Sequence, residues 1–275
     1  MPTSINTNVG ALIALQNLNQ TQSELQTVQT RINTGLKVGS AKDNGAIFAI
    51  AQNSRASSGA LNAVKESLQR GESTVDVALA GGQAVSDLLL QLKEKALAAS
   101  DTSLNAASRT ALNDDFKALR DQITKSITNS AFNGVNLIDA SGVNVAALAN
   151  SAGTSKLTVL AQNLSLGGAN VTLAATASIG TVTLAAAAIA VVDTSIANVS
   201  TSLSKLGTGS KSLRSTFVFV GKLQDAIDAG VGNLVDADLA KESSRLTALQ
   251  TKQQLGIQAL SIANSSSQSL LSLFR

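Results

Sequence analysis

Few side chains in this sequence could do chemistry. Asp114-Asp115 and Asp236-x-Asp238 bring carboxylates together in pairs that could begin a divalent-cation site or share a proton. Either use needs a further partner, and the chain has no His and no Cys. That excludes disulfides, thiolate ligands, Cys nucleophiles and the commonest general base. The expected roles are structural: a solvated helix face for the first pair and a helix N-terminal cap for the second. Lys37, Lys42 and Arg55 could contact an anion, or pair with Asp43 or with acidic residues of neighbouring copies. Gly167-Gly168 is followed by no Gly-Lys-Ser/Thr, so it is not a phosphate loop. No catalytic residue, cofactor or metal site is expected.

The elements that must position these residues read as helices. Of the 275 residues 44% are hydrophobic but only 2% aromatic, with no Trp or Tyr, so large anchors for a bulky core are few. The single Pro is Pro2, and nothing inside the chain breaks a helix as proline would. Charged residues make up 14%, low for a soluble domain, and their places are taken by Ser, Thr, Asn and Gln. Such a surface suits close contact between like copies. A net charge of +3 with scattered Lys and Arg does not point to nucleic acid. Neither a secretory signal pattern nor a membrane-length run free of polar residues is read, so no membrane partner is expected. Thr183 to Val192 is the most apolar run.

The organising stretches lie at the two ends. Leu18, Leu25 and Ile32 recur every seven residues with Val28 between, and Ile5, Val9 and Leu12 extend this face toward the N-terminus. Leu239, Leu246, Gln253 and Leu260 take the same step, with Leu249 offset by three. A seven-residue repeat lays a narrow apolar seam along a helix, and the seam must meet another helix. The fold expected is mainly α: a long antiparallel helical hairpin or coiled-coil rod, both ends of the chain together, with a small β-hairpin region at mid-chain. The terminal seams carry too few aliphatic side chains to offset the entropy of ordering their own length. They are expected either to become ordered when copies pack together or to form an ordinary two-helix coil within one chain.

Between the seams the plan is near-symmetrical. Thr34 to Asn44, with Gly35 and Gly39, reads as an extended connector, and Asp43 or Asn44 as the cap of the next helix. That helix is expected over 45–99, with Ile47, Ile50, Leu61, Val64, Leu68, Val75 and Leu79 on its apolar face. Leu112, Phe116, Leu119, Ile123 and Ile127 predict a helix over 106–129. A β region over 132–185 begins at the Phe132-Asn133-Gly134 turn, with short pieces at 143–145, 157–160, 171–173 and 182–184. A helix over 188–228 returns, and Gly230-Val231-Gly232-Asn233 is read as a second connector over 229–234. The domains are thus 1–33 with 235–275, the connectors 34–46 and 229–234, and a middle domain over 47–228.

At this point the chain resembles the bacterial flagellins. Ser4-Ile5-Asn6-Thr7-Asn8, Arg31-Ile32-Asn33-Thr34-Gly35-Leu36-Lys37-Val38 and Ser40-Ala41-Lys42-Asp43-Asn44 are similar to the family's N-terminal motifs. Phe132-Asn133-Gly134 matches the start of its hairpin. Asp236-Ala237-Asp238-Leu239-Ala240, Gln253-Gln254-Leu255-Gly256, Ala263-Asn264 and the closing Leu271-Ser272-Leu273-Phe274-Arg275 resemble its C-terminus. The chain resembles the short flagellins of α-proteobacteria in particular.

The resemblance implies a non-enzymatic subunit that self-assembles into the flagellar filament for swimming. The seam residues Leu18, Leu25, Val28, Ile32, Leu239, Leu246, Leu249 and Leu260 would build its inner tube, and the connector residues Gly35, Gly39, Asp43 and Asn44 its spokes. It implies unfolded export through the flagellar type III apparatus, an extracellular location, and as partners further copies, paralogous flagellins, an export chaperone, and cap and hook-associated proteins. Some related flagellins carry O-glycans on the outer surface, which the Ser and Thr between Ser151 and Ser202 could accept. A hook–filament junction protein shares these ends and is the alternative reading. A peptidase carried in a flagellin-like chain would need an inserted domain, which is not seen here. The sequence departs from the family where the animal flagellin receptor reads an Arg-x-Arg-Glu-Leu pattern: the corresponding stretch contains Gln91, Glu94 and Lys95. Loss of the bidentate Arg and a charge in place of Leu imply weak or absent receptor activation.

Overall fold

The computed structural model describes residues 7–272. Ile5 and the closing Leu273-Phe274-Arg275 lie outside the described residues. The elements run α1 (Val9–Thr34), α2 (Gly45–Ala99), α3 (Ala106–Thr128), β1 (Ala131–Phe132), β2 (Val135–Asn136), β3 (Val145–Leu148), β4 (Lys156–Val159), α4 (Val182–Val235) and α5 (Leu239–Ser272). The mainly helical class, with small antiparallel hairpins at mid-chain, is as the periodicity predicts. The chain divides into two compact units, one from the residues up to Ala56 with those from Ala226 onward, the other Ser57–Asp225.

The second unit is built on seven-residue repeats. On α2, Leu61, Leu68, Val75, Leu89 and Ala96 are buried, and so are Val64, Ala78, Val85 and Leu92. On α4, Ala185, Val192, Val199, Leu206, Leu213 and Val220 are buried at every seventh position. Phe116, Ile123 and Ile127 of α3 complete this core. Unbroken repeats of seven keep one stripe of each helix facing its neighbours over its length.

The β region is smaller than the pattern suggested. Asn133 (φ 49°) and Gly134 (φ 78°) form the turn that pairs β1 with β2, and β3 pairs with β4 from Val145↔Val159 to Leu148↔Lys156. Residues 171–173 make one isolated bridge, Leu166↔Val171, instead of a strand. Backbone groups of the loop 171–179 are satisfied by helix side chains. Thr172 N–H donates to Ser195 Oγ at 3.0 Å, Ile179 N–H to Asn113 Oδ1 at 2.8 Å, and Arg120 Nη1 to the Ala177 carbonyl at 2.7 Å. Residues 182–184, expected as strand, are the first turn of α4. The Thr181 hydroxyl accepts from Leu184 N at 3.2 Å, a helix cap. The alanines that follow then favour helix.

The second correction falls at 229–234. α4 runs through Gly230 and Gly232 and ends at Val235. A helical glycine costs about 1 kcal/mol relative to alanine. Here Val231 and Val235 are buried with Val38 and Ala51, and that packing holds the helix together. The break falls later, at Asp236-Ala237-Asp238. By length and composition α4 is also, among the described residues, the one helix apolar enough to cross a membrane, with a window of mean hydropathy 1.7. Alanine supplies much of that hydropathy, and Asp193 within the helix is salt-bridged to Lys93 at 2.7 Å.

Candidate assembly surface

In the first unit α1 and α5 pack along one seam. Leu25, Val28 and Leu249 are buried, with Ile32 and Leu246 against them. Farther along, Gly256 lies against Leu18, and Asn8 Nδ2 donates to the Ala263 carbonyl at 2.7 Å. The less exposed positions follow alternating steps of three and four: Ala11, Ala14, Leu18, Thr21, Leu25, Val28 and Ile32 on α1, and Glu242, Leu246, Leu249, Gln253, Gly256, Leu260 and Ala263 on α5. This is heptad packing of two antiparallel helices. Of the expected seam residues, Leu18, Leu25, Val28, Ile32, Leu246, Leu249 and Leu260 are on it.

Leu239 is not. It is the first residue of α5 and 51% exposed, because the helix has only just begun there under its Asp238 cap. Glu242 takes the seam step instead. Val9 and Leu12 are also off the expected face, at 59% and 57% exposed, and the small residues Ala11 and Ala14 continue the seam.

The connector is held by the backbone. Gly35 ends α1 in the left-handed region at φ 72°, its N–H donating to the Arg31 carbonyl at 2.8 Å. Lys37 N and Val38 N both donate to the Val235 carbonyl, at 2.7 and 3.2 Å, and Ala237 N donates to the Gly35 carbonyl at 2.8 Å. The carboxylate of Asp43 accepts from Gly39 N, Ser40 N and Ser40 Oγ at 2.9–3.1 Å. The bonds from Ser40, main chain first and then hydroxyl, hold its pKa below the ordinary carboxylate value. Asp43 thus closes the connector's own turn and forms no ion pair with Lys37 or Lys42 among the described residues. Asn44 caps α2, accepting from Ile47 N at 3.1 Å.

The carboxylate pairs have structural partners. Asp114 pairs with Lys117 at 3.3 Å and Asp115 with Lys95 at 2.8 Å, and that bond raises the lysine's pKa. Asp238 caps α5, accepting from Ala240 N and Lys241 N at 3.1 Å. Among the described residues no group of three potential ligands could hold a metal ion. Gln91 and Glu94 are exposed on α2, with Leu90 and Leu97 exposed nearby.

Two charge pairs across the seam were not foreseen from sequence. Arg31 Nη1 donates to Glu242 Oε1 at 3.2 Å, and Arg245 lies 3.8 Å from Glu24. Position held the available signal: Glu242 occupies a seam step four before Leu246, and Arg31 adjoins Ile32.

At one end, the outside of this helical pair is also apolar. Leu12, Ile13 and Leu15 of α1 and Leu255, Ile257 and Ile262 of α5 are exposed, Ile262 to 69%. A two-helix coil that stood alone would turn polar residues outward at such positions.

A family model of the bacterial flagellin N-terminal helical region matches residues 5–143, and one of the C-terminal helical region matches residues 189–274. The chain belongs to the bacterial flagellin family. Among flagellins, it is similar to FljM and FljO of Caulobacter vibrioides, at 61% and 60% identity over 272 residues, spanning 99% of this chain and 98% of each relative. The flagellin of Brucella melitensis is 37% identical over 287 residues, spanning 99% of both chains. The match spans nearly the full length of each.

Proposed function

We propose that this flagellin is the structural subunit of the bacterial flagellar filament, a helical homopolymer lying outside the cell and serving motility. One observation carries the reading: α1 and α5 spend their best aliphatic residues on a shared seam yet still expose Leu12, Ile13, Leu255, Ile257 and Ile262. Further copies of the same pair would cover those residues. The terminal helices gain their full order in that contact, so the chain can travel through a narrow flagellar export apparatus unfolded and order on arrival. An export chaperone, a filament cap and hook-associated proteins are the partners this route requires, and paralogous flagellins could enter the same polymer. The role is architectural, without an enzymatic reaction. Similarity along the whole length of proteins named flagellins favours a filament subunit over a junction adapter.

The test uses Leu25→Asp and Leu246→Asp, each placing a carboxylate in the seam. Both chains should keep the second unit helical by circular dichroism and fail to elongate filament seeds. Normal filaments from either would defeat the reading.

The resemblance would set Gln91, Glu94 and Lys95 at the family's receptor-contact stretch, and Gln91 and Glu94 are exposed on α2. Lys95 is engaged by Asp115. This arrangement supports weak receptor activation.

A further inference from the structure

A seam repeating every seven residues does not fix its own register. Sliding α5 by one heptad would set Leu18 against Leu249 in one direction and against Ala263 in the other, apolar on apolar each time. Discrimination between such registers falls to polar and charged residues beside the seam.

Four side chains are placed for this. Glu24 and Arg31 lie one heptad apart on α1 with opposite charges, and Glu242 and Arg245 lie three apart on α5 with opposite charges. In the observed register each finds its complement, Arg31 with Glu242 at 3.2 Å and Arg245 with Glu24 at 3.8 Å. Slide the helices one way and Glu24 takes the place of Arg31 beside Glu242, setting carboxylate against carboxylate at a buried position. Slide them the other way and Arg31 takes the place of Glu24 beside Arg245, while Leu249 stands where Glu242 stood. Lys252 would then come level with Glu24 and offset the exposed Arg245 contact, so this slip is opposed chiefly by Arg31 losing Glu242. The Arg31–Glu242 pair is also poorly built for stability alone, since Arg31 Nε and Glu242 Oε2 are buried without a hydrogen-bond partner.

We propose that Glu24, Arg31, Glu242 and Arg245 form a charge code that admits one register of α1 against α5. The timing rests on the assembly reading above: helices that order as a copy joins the filament must choose their register at that step. The geometry of the code does not depend on it.

The code separates from simple pairing by a double swap, Arg31→Glu with Glu242→Arg. The native register keeps both ion pairs, yet both slipped registers become attractive, because Glu24 now meets a guanidinium and Arg245 a carboxylate. Adding Glu24→Arg and Arg245→Glu restores like-charge clashes in both slips. The four-residue swap keeps the reversed charges at 31 and 242, so any helix-dipole penalty from that reversal is present in both variants. The chain has no native Cys, which permits register to be read by intrachain disulfides. Leu18→Cys is combined in turn with Gly256→Cys, Leu249→Cys or Ala263→Cys. A Cβ at position 256 would lie 4.0 Å from that of Leu18, within disulfide reach.

Oxidised within assembled filaments, where both helices are ordered, the chain with native charges should form only the 18–256 bridge. The double swap should add the 18–249 and 18–263 bridges, or stop filament growth. The four-residue swap should return the single bridge and growth. Slipped bridges with native charges, normal filaments with the 18–256 bridge alone from the double swap, or no rescue by the four-residue swap would each overturn the code. A native-charge chain that forms the 18–256 bridge but never elongates seeds would defeat the assembly reading alone.

Discussion

Leu18 Cδ1 lies 3.4 Å from where a Cβ on residue 256 would stand. A methyl group there would meet Leu18 in ordinary van der Waals contact. Gly256→Ala should fill that space and raise the helix propensity of α5, stabilising it by about 1 kcal/mol. The check is a higher melting temperature for assembled filaments. Gly256→Phe should force the helices apart and block growth while leaving the second unit helical. A lower melting temperature for Gly256→Ala would mean that the helices do not pack in this register.

Two glycines of α2 should respond in opposite directions to the same substitution. A Cβ at Gly81 would stand 2.7 Å from Ser130 Cβ and 3.0 Å from Ile138 Cδ1, so Gly81→Ala overpacks the core. The expected loss is about 1–3 kcal/mol in urea denaturation of the full chain. Gly59 has nothing within 4 Å of that point, so Gly59→Ala should gain up to about 1 kcal/mol.

Acid should loosen the connector. The Ser40 main-chain and hydroxyl donors lower the pKa of Asp43 in the folded chain. A folded pKa below the unfolded one gives a contribution fully present above the unfolded value, about 3.9, and lost as pH falls through the folded one. Carboxyl-detected NMR of assembled filaments should show Asp43 titrating below an ordinary aspartate. Asp43→Asn should remove that part of the acid response.

Reporter cells carrying the animal flagellin receptor should respond weakly to this chain. Gln91→Arg with Lys95→Leu restores the residue types of the family pattern at those two positions and should raise the response. Full potency of the unaltered chain would refute this reading of Gln91, Glu94 and Lys95.

Much of the fold was legible because seven-residue repeats are a long-range signal carried by many residues at once. The buried face of α2 was read from such repeats, while its start and the Asn133-Gly134 turn came from local cap and turn residues. The misread pieces were places where a local cue competed with a distant one. Gly230 and Gly232 look like a break until Val38 and Ala51 are known to bury Val231 and Val235. Residues 182–184 look like strand until Thr181 is seen to cap them. Leu239 fits the repeat in number but stands at the first position of its helix. Of the candidate site, the aliphatic seam was visible and the Arg31–Glu242 pair was not, since those partners are separated by 211 residues.

Hydrogen exchange of α1 and α5 amides, compared between the dilute chain and the filament, tests the central claim most directly. The account predicts rapid exchange along both helices in the dilute chain and strong protection once copies have polymerised, with Leu246→Asp remaining in the rapidly exchanging state. Terminal helices fully protected at high dilution, in a chain that never elongates filaments, would contradict it.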